Sequence, residues 1–262
     1  MSLSDPLKID PEERFPRLAR APIVEAVIHW QARAEAALDR EALEAYLRER
    51  LPEYPLLRPQ HEVRLEHELG PSASAIRRSE SWQGFRLFSK DERQVAQFTR
   101  NGFVFSRLAP YEGWDSFAEE AKRLYRIHAE IAKPSEIERL GVRFINRIVP
   151  FDPDSAADYL TVPPSSPQAF RLPIREFLHQ SLFDVPNHPY NLNVVQTVQP
   201  APMPHAEGMA LILDIDVFTT KPLDLNENTL DQGLTEMRWL KNKAFFTLVT
   251  DKVRERCNRP EP

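Results

Sequence analysis

Three short strand-like segments, Gly84–Ser89, Gln94–Thr99 and Phe103–Leu108, follow one another with no room for a helix between them. Lys90-Asp91-Glu92-Arg93 separates the first two, and the turn pair Asn101-Gly102 leads into the third. Parallel neighbours need a crossover of about a dozen residues or more, whereas a turn this short can only reverse the chain. Asn-Gly tolerates the positive φ values that a tight hairpin demands. These segments therefore commit the chain to an antiparallel sheet and exclude a parallel doubly wound fold.

The surrounding pattern extends this reading. Ile23–Arg33 is apolar and β-branched at its start and reads as a strand. Asp39 can cap a helix in which Ala42, Leu43, Tyr46, Leu47 and Leu51 share a face, and Pro52 and Pro55 end it. Glu62–Leu69 alternates apolar and charged residues at the period of a strand. Gly113–Ala132 carries one apolar stripe at helical spacing, closed by Pro134. The order then restarts. Glu138–Val149 is a strand, Asp154–Leu160 a short helix, and Pro163, Pro164, Pro167 and Pro173 mark a long loop. Glu176–Val185, Asn191–Gln199 and Met209–Phe218 read as strands, and Thr229–Arg256 as one long helix with Asn228 as its cap. The expected class is α+β: an antiparallel sheet backed by two long helices, with a tandem strand–helix–strands–helix repeat of element order. The divisions implied are a tail over residues 1–20, a first half over 21–134 and a second over 135–258.

Composition removes several chemistries. The seven glycines are never closer than eleven residues, at Gly102 and Gly113. A phosphate-binding P-loop, a dinucleotide fingerprint and a Gly-x-Ser-x-Gly nucleophile elbow all need glycines far closer together. Cys257 is the single cysteine, so no intrachain disulfide forms, and a reducing, cytoplasmic setting is expected. No zinc-type His or Cys spacing is present, and no metal or cofactor is expected. Residues 1–133 carry 21 Lys and Arg against 22 Asp and Glu, and residues 134–262 carry 13 against 17. Neither half has the basic surplus through which general nucleic-acid binders neutralise phosphate. The first twenty residues lack the apolar core of a signal peptide, and no apolar run is long enough to span a membrane.

Four stretches carry a resemblance: Ala21-Pro22-Ile23-Val24-Glu25-Ala26, Phe103 through Trp114, Arg139 through Ile148, and Leu213-Asp214-Ile215-Asp216. Together they resemble a sporadically distributed family of uncharacterised prokaryotic proteins of about this chain's length. The resemblance implies a shared fold and an accessory role, and it implies no reaction. The element order also resembles the duplicated saddle of TATA-box-binding proteins, and each half resembles a helix-grip fold. Such folds leave one sheet face free or lined for a ligand.

Two clusters are candidates for binding. Strand alternation places Arg139, Arg143 and Arg147 on one face, and places Asp214 and Asp216 together on another strand. Arginine forks suit carboxylates and phosphates, while the bland alternative is cross-strand pairing of these opposite charges. Asp214 and Asp216 with Glu25 are also a weak cation motif. The second cluster is Arg107, Tyr111 and Asn146. Tyr111 and Trp114 either pack the strand–helix junction or wall a pocket with Arg107 at its mouth. Asn146 falls on an apolar strand face and must find a partner there, either the neighbouring loop around Pro110-Tyr111 or a ligand.

The last helix has two apolar ridges. One is Leu230, Leu234, Met237, Lys241, Ala244 and Leu248; the other is Trp239, Phe246 and Val253. The second ridge is either buried or an interface with a protein partner or a second copy. The leading functional reading is a non-catalytic binding or interaction protein. The alternatives are a small-molecule or nucleotide binder, or an enzyme, using the arginine and aspartate cluster. A nucleic-acid saddle comes last, because the charge opposes it.

Overall fold

In a computed structural model the chain forms an α+β fold around one antiparallel sheet of nine strands. The structure describes residues 7–69, 74–167, 169, 172–201 and 208–259. The strands are β1 (Ile23–Gln31), β2 (Leu56–Leu69), β3 (Ser74–Phe88), β4 (Gln94–Thr99), β5 (Gly102–Leu108), β6 (Arg139–Phe151), β7 (Leu178–Asp184), β8 (Tyr190–Pro200) and β9 (Met209–Thr219). Their order across the sheet is β2-β3-β4-β5-β1-β6-β9-β8-β7. The helices are α1 (Arg40–Arg50), α2 (Trp114–Ala132), α3 (Glu227–Leu248) and α4 (Asp251–Asn258).

Both long helices lie on the same face. α2 packs on β5 and β1, and α3 on β6 and β9. Alternation sends Ala26, Ile28 and Trp30 of β1 to this face, where all three are fully buried. Trp30 stacks on Tyr125 of α2 at 4.9 Å between ring centroids. Leu140 of β6 reaches α3 at Gly233, where an added Cβ would lie 3.5 Å from its Cδ2. The other face has no helix over it among the described residues and carries Glu25, Arg143, Asp214 and their neighbours.

Three boundaries differ from the sequence expectation by more than a couple of residues, and α3 starts at Glu227 with Asn226, not Asn228, as its N-cap. β2 begins at Leu56, not Glu62, and β3 begins at Ser74, well before Gly84. The two form a long ribbon whose register shifts between Gln60 and His61. On the β3 side, Ser79 to Ser81 show no hydrophobic alternation to read, although Glu62 to Arg64 opposite them do alternate. The side chains of residues 65–77 lie outside the described part. The third difference is the last helix, which breaks at Val249. There the main chain bridges to Leu160, and Thr250 Oγ1 donates to the Asp158 carbonyl before α4 begins. The β-branched run Val249-Thr250 ahead of Asp251 favours this extended step over a continuous helix.

The N-terminal segment is part of the packed structure. Ile9 is buried, and Phe15 stacks on Phe246 of α3 at 5.5 Å. Glu13 accepts hydrogen bonds from Trp239 Nε1 at 2.9 Å and from Lys243 Nζ at 2.8 Å. Arg20 N–H then donates to the Cys257 carbonyl of α4. The chain reaches β1 only after crossing α3 and α4.

Gly102 gives a direct test of the hairpin register. It has φ +138, and a Cβ there would sit 2.1 Å from the Trp30 carbonyl oxygen. Gly102→Ala is expected to lower unfolding stability by about 1–3 kcal/mol or more, read as a lower denaturation midpoint with unchanged slope.

Candidate functional site

Two recesses lie on opposite faces of the sheet, and they divide the sequence-predicted residues between them. The helix face holds a cavity of about 490 Å³, bounded by the N-terminal segment, the first turn of α2, β6 and the middle of α3. Tyr111 and Asn146 line it. The open face holds a groove lined by Glu25, Arg143, Arg147 and Asp214. Arg107 lines neither. It is buried on the helix face, and its Nη2 donates to Glu112 Oε1 at 2.8 Å. Asp216 also lies outside both; Arg139 Nη2 holds it at 2.8 Å.

The open-face cluster is largely self-neutralised. Arg143 Nε donates to both Asp214 oxygens at 2.9 and 3.1 Å. The Asp214 and neighbouring Asp216 and Glu25 charges hold the Arg143 guanidinium more firmly protonated. Burial pushes the Asp216 carboxyl upward, against the opposing pull of Arg139 and Arg143. Burial and Arg139 together press His29 down to about 4, so it is neutral at physiological pH. The cross-strand pairing that strand alternation allowed is therefore present. Among the described residues, Arg147 and Glu25 make no hydrogen-bonded ion pair there, and Glu25 acts on Arg143 only through its charge. Among the described residues, no group of three or more His, Cys, Asp or Glu side chains is placed to hold a metal ion.

The helix-face cavity has different chemistry. Its walls are aromatic: Phe15, Tyr111, Trp114, Phe144, Phe245 and Phe246. Tyr111 meets Phe144 edge-on at 5.4 Å, and Trp114 lies nearly parallel to Phe144 at 6.4 Å. Asn146 is buried beside them. Its Nδ2 donates to the Leu213 carbonyl of β9 at 3.0 Å, so its partner is the neighbouring strand and not the loop at Pro110-Tyr111. The amide nitrogen is thus fixed by main chain, and its Oδ1 accepts no hydrogen bond from a described residue.

Lys241 is the central charge. It sits one step from Met237 and Ala244 along the apolar ridge of α3, partly buried, with Nζ 3.9 Å from the centroid of Phe144. No carboxylate among the described residues pairs with it. Burial, and then the nearby Arg238, push its pKa down to about 7. Arg238 lies over Trp114 at 5.6 Å and reaches Asp115 at 3.4 Å. The Tyr111 hydroxyl oxygen is buried and has no hydrogen-bond partner among the described residues. Burial raises its pKa far above the ordinary tyrosine range, so it stays a neutral donor. Gly113 is the N-cap of α2, and no side chain caps that helix.

Sequence reasoning placed Lys241 within an apolar ridge and gave the N-terminal tail no role. The usable signal was the lysine itself. A cation between Met237 and Ala244 at helical spacing faces the interior and needs an explanation. The contribution of Phe15 and Arg17 left no comparable trace. The ridge Trp239, Phe246 and Val253 presents no open face: Trp239 and Val253 are buried, and Phe15 covers Phe246.

The chain matches no protein-family model and no curated protein. Among the described residues, no helix is long and apolar enough to cross a membrane.

Lys241 makes the cavity testable through stability. An ammonium whose folded pKa is lowered opposes folding fully below about 7, and the opposition fades as pH rises toward the unfolded value near 10.4. Lys241→Met removes this opposition. Its stability gain over the wild type should be largest at pH 6–7 and shrink steadily towards pH 10, read from parallel denaturation curves.

Proposed function

We propose that this protein binds a small organic molecule in the helix-face cavity. The observation that carries the reading is Lys241: a partly buried ammonium without a carboxylate partner, facing a recess walled by aromatic rings. A buried unpaired cation costs stability, and a site that keeps one gains when a ligand supplies the missing partner. A recess of about 490 Å³ falls in the range that encloses small ligands. The alternating order of the sheet supports a further proposal, that the chain is an internal duplication. Counting outward from the centre, β1, β5, β4, β3 is matched by β6, β9, β8, β7, each series closed by a long helix.

The reading that used the arginine and aspartate row has less support. Arg143 and Asp214 must leave each other before either can hold a ligand. A role in protein interaction draws support from a different place than the C-terminal helix. The edge strand β7 exposes Leu178, Leu182 and Phe183 to solvent.

The test is crystallographic or NMR screening of flat aromatic fragments on the full chain. Hits should gather at Trp114, Phe144 and Lys241. Asn242→Trp, which narrows the same recess from α3, should weaken them about tenfold or more while leaving the unfolding midpoint within a few degrees. Hits confined to the open-face groove, or unaffected by this substitution, would overturn the reading.

A further inference from the structure

The charges around the cavity do not cancel, and their imbalance identifies what the ligand must carry. Five charged side chains line it: Arg17, Glu112, Asp115, Arg238 and Lys241. Glu112 is taken by Arg107, which stands outside the lining, and Asp115 by Arg238. Arg17 and Lys241 remain, and neither has a carboxylate partner among the described residues. The first turn of α2, Trp114 to Ser116, forms part of the same wall. Its N-terminal N–H groups lack a side-chain cap, and the helix dipole adds partial positive charge there. The buried Tyr111 hydroxyl supplies a further uncommitted donor. Both of the unpaired charges in this lining are cations.

We infer that the ligand is an aromatic monocarboxylate, its carboxylate held between Lys241 and the first turn of α2 and its ring laid among Trp114, Phe144 and Phe245. This inference rests on the binding reading of the same cavity. The aromatic walls favour a flat apolar body, since offset and edge-to-face ring contacts add to burial. A single negative charge fits better than a phosphate dianion. Only one of the two unpaired cations, Lys241, is packed within the cavity, while Arg17 is exposed to solvent. No arginine fork faces the cavity free of a carboxylate except exposed Arg17, whereas phosphate sites ordinarily draw on several.

Isothermal titration of the full chain with three probes decides the matter: 2-naphthoate, its neutral amide 2-naphthamide, and 2-naphthyl phosphate. The expected result is saturable binding of naphthoate about tenfold or more tighter than the amide, with the phosphate weaker than naphthoate. Lys241→Met should erase the preference for carboxylate over amide while leaving amide affinity in place. Arg17→Ala, at an exposed position that no described residue depends on, should lower naphthoate affinity two- to fivefold, and it serves if the Lys241 variant does not fold. Equal affinity for naphthoate and naphthamide would overturn the inference and leave the cavity as a neutral-ligand site. Tighter binding of the phosphate would overturn it in favour of a phosphate ester. Failure of all three, with no aromatic fragment bound in the cavity, would bring down the binding reading as well.

Discussion

The antiparallel pairing of β1 with β5 on one side and β6 on the other joins the two ends of the sequence into one sheet. Among the described residues, β1 is the only strand drawn from before α1, yet it sits at the middle of the nine-stranded order. Its residues Ala26, Ile28 and Trp30 face the helices, and the register Ile28↔Phe105 and Ile28↔Val142 places buried apolar partners on both flanks. A slip of one residue would turn Glu25, Val27 and His29 into the core and expose Trp30. The alternation thus determines which side chains face the helices and which form the open surface.

The cavity follows from this seam. β5 leads through Tyr111 into α2, whose Trp114 and Phe117 reach Phe144 of β6, while α3 packs on the same strand. Two helices passing over one strand leave a gap where α2 begins. The N-terminal segment closes part of it with Phe15 and Arg17. That segment is anchored by Glu13, which receives two donors from α3. A charged acceptor shared by an indole N–H and an ammonium is a stronger tether than a neutral hydrogen bond.

Much of the sheet was legible because its signals are local. Asn101-Gly102 marked a hairpin, and Trp114 through Ala132 marked α2 by a single apolar stripe. The arginine row and the aspartate pair were legible as candidate cross-strand partners because they share a face, but not which pairs form: Arg143 stands opposite Asp216 and reaches diagonally to Asp214. The cavity was legible only in part, through Tyr111, Trp114 and Asn146 as candidates. Tyr111, Asn146, Lys241 and Arg17 come from four separate parts of the chain, and no spacing rule connects them. The break at Val249 depended on a bridge to Leu160, a contact across nearly ninety residues. The early part of β3 has no hydrophobic alternation and is held by its ribbon partner alone.

The two recesses are lined by five and four charged side chains and dispose of them differently. On the open face, each of Arg139 and Arg143 has a carboxylate at hydrogen-bond distance, so a ligand must first displace an aspartate. The exchange returns little, because one ion pair replaces another at a partly hydrated surface. In the cavity, the partner of Lys241 is the face of Phe144, which attracts a cation less strongly than a carboxylate would. A ligand carboxylate arriving there displaces no ion pair of Lys241 and restores the protonated amine that burial disfavours. The free energy available for recognition is therefore concentrated at Lys241, an unpaired charge packed against an aromatic wall, more than on the open arginine row, where Arg139 and Arg143 are paired and only Arg147 has no carboxylate at hydrogen-bond distance among the described residues.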